Sequence, residues 1–320
     1  MEKPDIAAVI GAGIMGHGVA QCLAENGVRV RLVDQSAQLL DRARQWISDN
    51  LDYMVELGRL PAGGPPAIRA RIDYVTDLEP ALPGVGYVLE AVTENMDVKR
   101  QVWQQLGQHA PADAVLASNT SSYDINELAA GITGPGRILG THWFHPPQIT
   151  PCVEVIPADR TLPACVDWTL GFLTAIGKVP TVCRSAAGFV ANRIQLAMAR
   201  EALALVEEGL ATPAEVDRIV KTSFGFRLSA FGPFEIIDQA GADTYRRVYE
   251  YLYAKMPREA FSPAALLERQ VAAGRTGLKS SAGFYDYGPG AADAMRRERD
   301  RRLYARLDLC RSEWGMSDAP

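Results

Sequence analysis

The chain has 320 residues, of which 48% are hydrophobic and 22% charged, so it is a globular chain long enough for two domains. Its net charge of −5 argues against broad binding to nucleic acid or to an anionic membrane, because both need a positively charged surface. Five scattered cysteines without a C-x-x-C pair indicate reduced thiols in a cytoplasmic protein. No apolar run reaches the roughly 18 residues of a membrane span. The first strand-like run begins at Ile6, which leaves no room for a signal peptide.

The N-terminal part of the chain predicts a strand, a glycine-rich turn, a helix and a second strand. An apolar run from Ile6 to Ile10 leads into Gly11–Gly16, which fits the pattern G-x-G-x-x-G. Apolar residues then recur at helical spacing up to Gly27, and a second apolar run from Val28 ends at Asp34. This is the context in which the glycine motif binds a dinucleotide.

Each part of the glycine motif has its own physical role. Gly11 permits a tight turn, Gly13 lets the backbone approach a pyrophosphate, and Gly16 lets the helix pack closely on the strand. At the helix start, where Ile14 and Met15 lie, free N–H groups and the helix dipole attract phosphate.

Asp34 determines the predicted coenzyme. Its carboxylate can accept hydrogen bonds from the ribose hydroxyls of NAD and would repel the 2′-phosphate of NADP. Gln35 and Ser36 offer no arginine that could neutralise such a phosphate. We therefore expect NAD rather than NADP, with a ligand-free glycine turn and FAD as the alternatives.

Strands continue to alternate with helices through the first part of the chain. A long helix is predicted from Ser36 to Leu57 and a loop from Pro61 to Pro66. The alternation predicts a doubly wound parallel sheet, whose ligands lie at the carboxyl ends of the strands. Glu94, Asn119 and Ser121 each follow a strand-like run, so we expect them in the cofactor crevice.

Two proton-transferring groups follow on neighbouring strand-like segments, His142 at the end of one and Glu154 within the next. Imidazole suits a base because its unperturbed pKa is about 6.5, and a carboxylate can fix its tautomer. The proline-rich turn between the segments could bring the two groups together. A structural core histidine and a structural buried carboxylate remain the alternatives. His142-x-x-His145 lacks further close ligands, so no metal site is predicted.

The character of the chain changes after Ser185. From there the pattern is helical to the end, which predicts an α/β domain over residues 1–185 and a helical domain over 186–320. The helix from Phe189 to Glu208 is apolar along one side, so we expect it to form the spine of the second domain or a dimer interface.

Taken together, these motifs resemble the L-3-hydroxyacyl-CoA dehydrogenase family. The resemblance covers nearly the whole chain and rests on ordered segments, namely Gly11–Gly16, Glu90–Asn95, Ser118–Ser122, His142–Pro146, Val153–Val155, Gly188–Arg193, Phe231–Phe234, Gly277–Lys279 and Gly283–Tyr285. It implies a Rossmann-type NAD-binding domain followed by an all-helical C-terminal dimerisation domain. It also implies a homodimeric, NAD-dependent enzyme of hydroxy acid or fatty acid metabolism.

The family resemblance also implies roles for individual residues. His142 corresponds to the catalytic base, Glu154 to its partner, and Ser121 and Asn192 to the groups that polarise the substrate. The expected NAD contacts outside the glycine turn are Asp34, Glu94, Lys99, Ser121, His145 and Lys279. Of these, His145 stands where the family usually has asparagine, near the nicotinamide and the substrate.

The resemblance predicts oxidation of a 3-hydroxyacyl-CoA, such as 3-hydroxybutyryl-CoA, or of a related 3-hydroxy acid to the 3-oxo compound. Acyl-CoA members tend to have a lysine-rich segment after the second strand, whereas this chain has only Arg59, Arg69 and Arg71 there. A dehydrogenase of a small free hydroxy acid (gulonate, carnitine or pyridine-carboxylate type) is therefore an alternative. A 6-phosphogluconate-like enzyme would use a lysine on the interdomain helix, where this chain has Asn192. A non-catalytic NAD binder is the remaining alternative.

Overall fold

The computed structural model describes residues 3–256, 258–288, 290–311, 313–314 and 316. The two predicted domains, residues 1–185 and 186–320, each include some residues outside these ranges. Internal contacts divide the chain into two compact units, Met1–Met198 and Ala199–Pro320. The division between them falls inside the helix Ala191–Glu207. The domain boundary predicted after residue 185 stays a proposal.

The first unit contains one sheet, of eight strands within the described residues. They are β1 (Ile6–Ile10), β2 (Arg29–Val33), β3 (Ile72–Val75), β4 (Tyr87–Glu90), β5 (Val115–Ser118), β6 (Ile138–Trp143), β7 (Cys152–Pro157) and β8 (Val179–Val182). Their order across the sheet is β3-β2-β1-β4-β5-β6-β7-β8. All neighbours are parallel except β6 and β7, which are antiparallel. The predicted doubly wound sheet is confirmed, and its first six strands have the order of a Rossmann sheet.

Helices cover both faces of this sheet. They are α1 (Ile14–Glu25), α2 (Ala37–Glu56), α3 (Gly64–Arg69), α4 (Leu78–Ala81), α5 (Met96–His109), α6 (Ile125–Ala129) and α7 (Pro163–Ala175). The first part of a further helix, α8 (Ala191–Glu207), also belongs to this unit. Successive residues of β1 belong to different core clusters, Ala7 and Val9 to one and Ala8 and Ile10 to the other. The first cluster packs α1, α2 and α7 on the sheet and the second packs α5 and α6, because successive side chains of a strand point to opposite faces.

The long helix predicted from Ser36 to Leu57 is confirmed as α2, and the Ser36 side chain caps its first turn. The loop predicted from Pro61 to Pro66 is wrong in its second half, because α3 begins at Gly64. Pro65 and Pro66 lie in the first helical turn, where the missing proline N–H removes no intrahelical hydrogen bond.

The second unit is helical, as expected. Besides the rest of α8 it contains α9 (Pro213–Thr222), α10 (Phe224–Leu228), α11 (Pro233–Ala240), α12 (Ala242–Lys255), α13 (Ala265–Ala272) and α14 (Ala291–Cys310). The buried Asp238 carboxylate accepts hydrogen bonds from Phe284 N, Tyr285 N and the Tyr287 hydroxyl. These bonds organise the segment between α13 and α14, which carries Lys279. Within the described residues, no helix combines the length and the apolar character needed to cross a membrane.

Candidate functional site

A crevice of about 1830 Å³ lies in the first unit at the carboxyl ends of the strands. It is lined by residues at or just after the ends of six neighbouring strands, β1 to β6, and by Asn192 of α8. They include Gly13, Ile14, Met15, Asp34, Glu94, Asn119, Ser121, His142, His145 and Asn192. The parallel topology therefore brings together side chains that are far apart in the sequence, as the sequence predicted.

The glycine turn after β1 fits a dinucleotide phosphate. Gly11 has a φ of +105°, which favours glycine, and its N–H donates to Val33 O at 2.7 Å. A Cβ on Gly16 would lie 1.7 Å from Gly11 O, so only glycine allows α1 to pack this closely. A Cβ on Gly13 would meet no atom within 4 Å, so the backbone there is open for a ligand to approach. The first N–H groups of α1 have no intrahelical acceptor and can bind phosphate.

Asp34 is fixed at the end of β2 by two backbone N–H groups. Its Oδ2 accepts from Ala12 N at 2.9 Å and its Oδ1 from Ser36 N at 3.0 Å. A carboxylate offers about four lone-pair sites, so it can still accept hydrogen bonds from a ribose. The side chain thus joins the glycine turn to the segment that follows β2, and both line the crevice.

Replacing Asp34 by alanine should weaken NAD binding by about 10- to 100-fold, the value of a hydrogen bond to a charged group. The affinity for NADP should fall much less, because the carboxylate that repels its 2′-phosphate is removed. Calorimetric titration of both coenzymes measures this, and Asp34→Asn separates the loss of charge from the loss of hydrogen-bond acceptors. An unchanged ratio of the two dissociation constants would show that coenzyme preference is set elsewhere.

A buried lysine connects the ends of β4 and β5. The Lys99 ammonium, 1% exposed, lies 2.8 Å from Glu90 Oε1 and 3.1 Å from Glu94 Oε2. Glu94 Oε1 in turn accepts a hydrogen bond from Ser121 N at 3.1 Å. Lys99 does not belong to the crevice lining, so it meets the crevice through Glu94. Its predicted direct contact with NAD stays a prediction.

Glu94 is the crevice-facing member of this network. Burial alone would raise the pKa of its carboxyl, but the hydrogen bond from the Thr120 hydroxyl and the charge of Lys99 outweigh burial and lower the pKa. Further hydrogen bonds come from Ser122 N and the Ser122 hydroxyl. Glu94 is thus a carboxylate at neutral pH that fixes the loop carrying Ser121.

Replacing Lys99 by methionine should lower the free energy of unfolding by about 3–5 kcal/mol, because the buried Glu90 would lose its cationic partner and keep hydrogen bonds only from neutral donors such as Trp103 Nε1 and the Ser118 hydroxyl. Urea denaturation measures the change. Arg100→Met is the matched control, since Arg100 pairs with Asp97 on the exposed side of the same helix, and it should cost less than about 1 kcal/mol. Equal losses in both variants would contradict the role of Lys99 as the central cation of this network.

Ser121 and Asn192 are in direct contact. The Ser121 carbonyl accepts from Asn192 Nδ2 at 3.0 Å, and Asn192 lies in the first turn of α8. The Ser121 hydroxyl has no hydrogen-bond partner within the described part of the chain, and the residue lines the crevice. A substrate oxygen can therefore be its partner.

His142 and Glu154 form a buried pair on adjacent strands. They face each other in the antiparallel register of β6 and β7, and Glu154 Oε2 lies 2.8 Å from His142 Nδ1. Only 5% of His142 and 4% of Glu154 are exposed. A carboxylate accepts, so Nδ1 donates to Glu154, and in the neutral imidazole Nε2 is then the nitrogen with a free lone pair. The antiparallel pairing of β6 and β7 brings the two groups together, as the proline-rich turn allowed, although His142 lies within β6, one residue before its end.

The remaining predicted cofactor contacts lie in different units. His145 is exposed and lines the crevice from the loop after β6. Lys279 lies in the second unit, where its ammonium pairs with Asp243, and its contact with NAD stays a prediction. Among the described residues, no group of three or more metal-ligating side chains is placed to hold a metal ion.

Two buried groups beside the site were not expected from the sequence. Lys178 donates to Pro147 O at 2.6 Å and to Thr150 O at 2.9 Å, and so holds the loop that carries His145. His17, on α1, is hydrogen-bonded through Nδ1 to Gly13 O, and burial lowers its pKa. A lysine or histidine within a mixed segment carries no periodic pattern that would reveal such partners.

Family models and known relatives agree with this architecture. Residues 6–186 match the 3-hydroxyacyl-CoA dehydrogenase NAD-binding domain, and residues 188–287 match the C-terminal domain of the same family. These matches confirm the resemblance read from the motifs and the assignment of NAD as the cofactor.

Three similar proteins illustrate the range of the family. A 5-formyl-3-hydroxy-2-methylpyridine 4-carboxylate 5-dehydrogenase of Mesorhizobium japonicum is 35% identical over 93% of this chain and 96% of its own. A probable 3-hydroxybutyryl-CoA dehydrogenase of Deinococcus radiodurans is 36% identical over 87% of this chain and 99% of its own. The crystal structure of a 3-hydroxyacyl-CoA dehydrogenase from Archaeoglobus fulgidus superposes with a TM-score of 0.78 at 32% identity, covering 95% of this chain and 98% of that one.

Proposed function

Because the chain belongs to the 3-hydroxyacyl-CoA dehydrogenase family, and so is an NAD-dependent dehydrogenase acting on a CH–OH group, we propose that it oxidises a 3-hydroxyacyl-CoA to the 3-oxoacyl-CoA. The expected substrate resembles 3-hydroxybutyryl-CoA. The observation that carries the proposal is the buried hydrogen bond of 2.8 Å between His142 and Glu154 beside the crevice. It supplies a base with a defined tautomer where a carbinol must lose its proton.

In the proposed reaction, His142 accepts the proton of the 3-hydroxyl at Nε2. Glu154 holds the ring through Nδ1 and stabilises the imidazolium that forms. The Ser121 hydroxyl and the Asn192 amide provide hydrogen bonds to the substrate oxygen as it becomes a carbonyl. When bound, NAD would supply the acceptor for the hydride of the carbinol carbon. The residues we propose to hold NAD are Gly11, Gly13, Ile14, Met15, Gly16, Asp34, Glu94, Lys99, Ser121, His145 and Lys279.

A dehydrogenase of a small free hydroxy acid is the second candidate, and the charge of α2 favours it. This helix carries four acidic and two basic residues, and Arg44 pairs with Asp41 at 3.3 Å. Such a surface does not attract the phosphates of CoA. The match to the M. japonicum relative, over 93% of the chain, must extend past residue 287, where the family model ends. The A. fulgidus match does so too, so this extension does not separate the two candidates.

We further propose that the enzyme works as a homodimer in the cytoplasm. α8 has no buried residue among those described, and Ile194, Leu196 and Leu203 are each more than half exposed. A second copy covering these side chains would remove apolar surface from water. All five cysteines are free, which fits a reducing compartment. Light scattering of the purified protein tests the dimer, and a monomer at micromolar concentration would contradict it.

A substrate panel tests the proposed function. Enzyme and NAD are mixed with 3-hydroxybutyryl-CoA, free 3-hydroxybutyrate, gulonate, carnitine and a pyridine carboxylate, and the near-ultraviolet absorbance of NADH is followed. The proposal expects the highest kcat/KM for the CoA thioester. A preference for a free acid would favour the second candidate, and NAD binding without turnover of any substrate would favour a non-catalytic binder.

A further inference from the structure

Glu154 is held by more than His142. While its Oε2 contacts the imidazole, its Oε1 accepts hydrogen bonds from Val190 N at 3.1 Å and Ala191 N at 2.9 Å. These are consecutive backbone N–H groups at the entry to α8. The same carboxylate is therefore the partner of the imidazole on one side and of a helix terminus on the other.

The backbone just before these N–H groups has an unusual conformation. Gly188 and Phe189 both have left-handed φ angles, of 73° and 46°. Glycine adopts such angles freely, whereas a bulky residue with a Cβ adopts them only at a cost in free energy. Left-handed residues beside helical ones turn successive N–H groups toward a common point, where they bind an anion. In this chain that point is occupied by Glu154 Oε1.

The side chain of Phe189 explains how this conformation persists. It is 2% exposed and belongs to the core cluster on one face of the sheet. The centroid of its ring also lies 5.8 Å from the centroid of the His142 ring. Phe189 N also donates a hydrogen bond to Ala186 O at 3.0 Å, which forms a turn over residues 186–189. Burial of the ring thus offsets the unfavourable φ.

We propose that Phe189 is a positioning residue for the dehydrogenase reaction: its left-handed backbone aims Val190 N and Ala191 N at Glu154 and so fixes the carboxylate that orients His142. The inference rests on the proposed role of His142 as the base. It assigns no contact between Phe189 and the substrate or NAD. The mutual orientation of Glu154 and His142 is what the turn controls.

Leucine and isoleucine at position 189 test the proposal as a matched pair. Their side chains are isomers of nearly equal volume, but the β-branch of isoleucine makes a positive φ far less accessible. Phe189→Leu should keep kcat within about threefold of the wild type, because its φ cost resembles that of phenylalanine. Phe189→Ile should lower kcat by about 100-fold, the effect of a misplacement near 1 Å, with little change in the KM for NAD.

A spectroscopic readout separates this inference from the proposed function. The imidazole Nδ1 proton that is hydrogen-bonded to Glu154 should give a low-field proton resonance in the wild type and in Phe189→Leu. Phe189→Ile should lose this resonance while retaining NAD binding and a cooperative thermal transition. Equal kcat and an equal resonance in the leucine and isoleucine variants would overturn the positioning role. Full turnover by His142→Gln would instead overturn the proposed function and leave the resonance test valid.

Discussion

Replacing His142 by glutamine should lower kcat by about 10³- to 10⁴-fold, the loss expected when a positioned base is removed. Glutamine can occupy the same buried space and donate to Glu154, but its amide cannot accept the proton of the substrate hydroxyl. NAD affinity should stay within about twofold, because the phosphate cradle is built by the glycine turn and α1.

Initial rates with the best substrate of the panel measure the loss in His142→Gln. Calorimetric titration with NAD and a thermal melt of the same variant show whether the cofactor site and the fold are intact. A variant with near-normal kcat would remove His142 from the mechanism, whatever its geometry.

Replacing Glu154 by glutamine should be almost as damaging, with a fall in kcat of about 10³-fold or more. The amide oxygen can still accept from Val190 N and Ala191 N, which leaves the NH₂ group facing His142. That group donates to Nδ1, so the ring proton must move to Nε2. The nitrogen that should accept the substrate proton is then blocked.

The shorter carboxylate of Glu154→Asp is the matched control for this reversal of the tautomer. It keeps an acceptor for the imidazole N–H but loosens the geometry, so it should retain more activity than Glu154→Gln. If the amide variant is the more active of the two, the carboxylate serves packing rather than the tautomer of His142.

Much of the fold followed from local pattern in the sequence. The turn from Gly11 to Gly16 and the terminal acid Asp34 predicted β1, α1 and β2, because glycines at this spacing after an apolar run are typical of a strand-turn-helix unit that binds a dinucleotide. The proline-rich turn between their segments allowed His142 and Glu154 to come together, and the antiparallel pairing of β6 and β7 places them opposite each other. Strand-end positions similarly predicted that Glu94 and Ser121 would share a crevice.

Other features depend on burial, which a local pattern does not encode. The structure buries the Lys99 ammonium between Glu90 and Glu94, a pairing that the sequence did not indicate. Such a pairing becomes visible only when α5 packs on the sheet. The positive φ of Phe189 was equally hidden, because phenylalanine is not a residue that predicts a left-handed turn. Both features lie where a charge or a strained backbone is held by tertiary contacts.

The most direct test of the central claim is the kcat of the double variant His142→Gln/Glu154→Gln, compared with the two single variants. If Glu154 acts only through His142, the second substitution has nothing left to disturb. The double variant should then have the kcat of His142→Gln within about threefold, the non-additivity expected of residues that act as a unit. Losses that multiply, giving a double variant slower by the product of the single effects, would contradict the dyad.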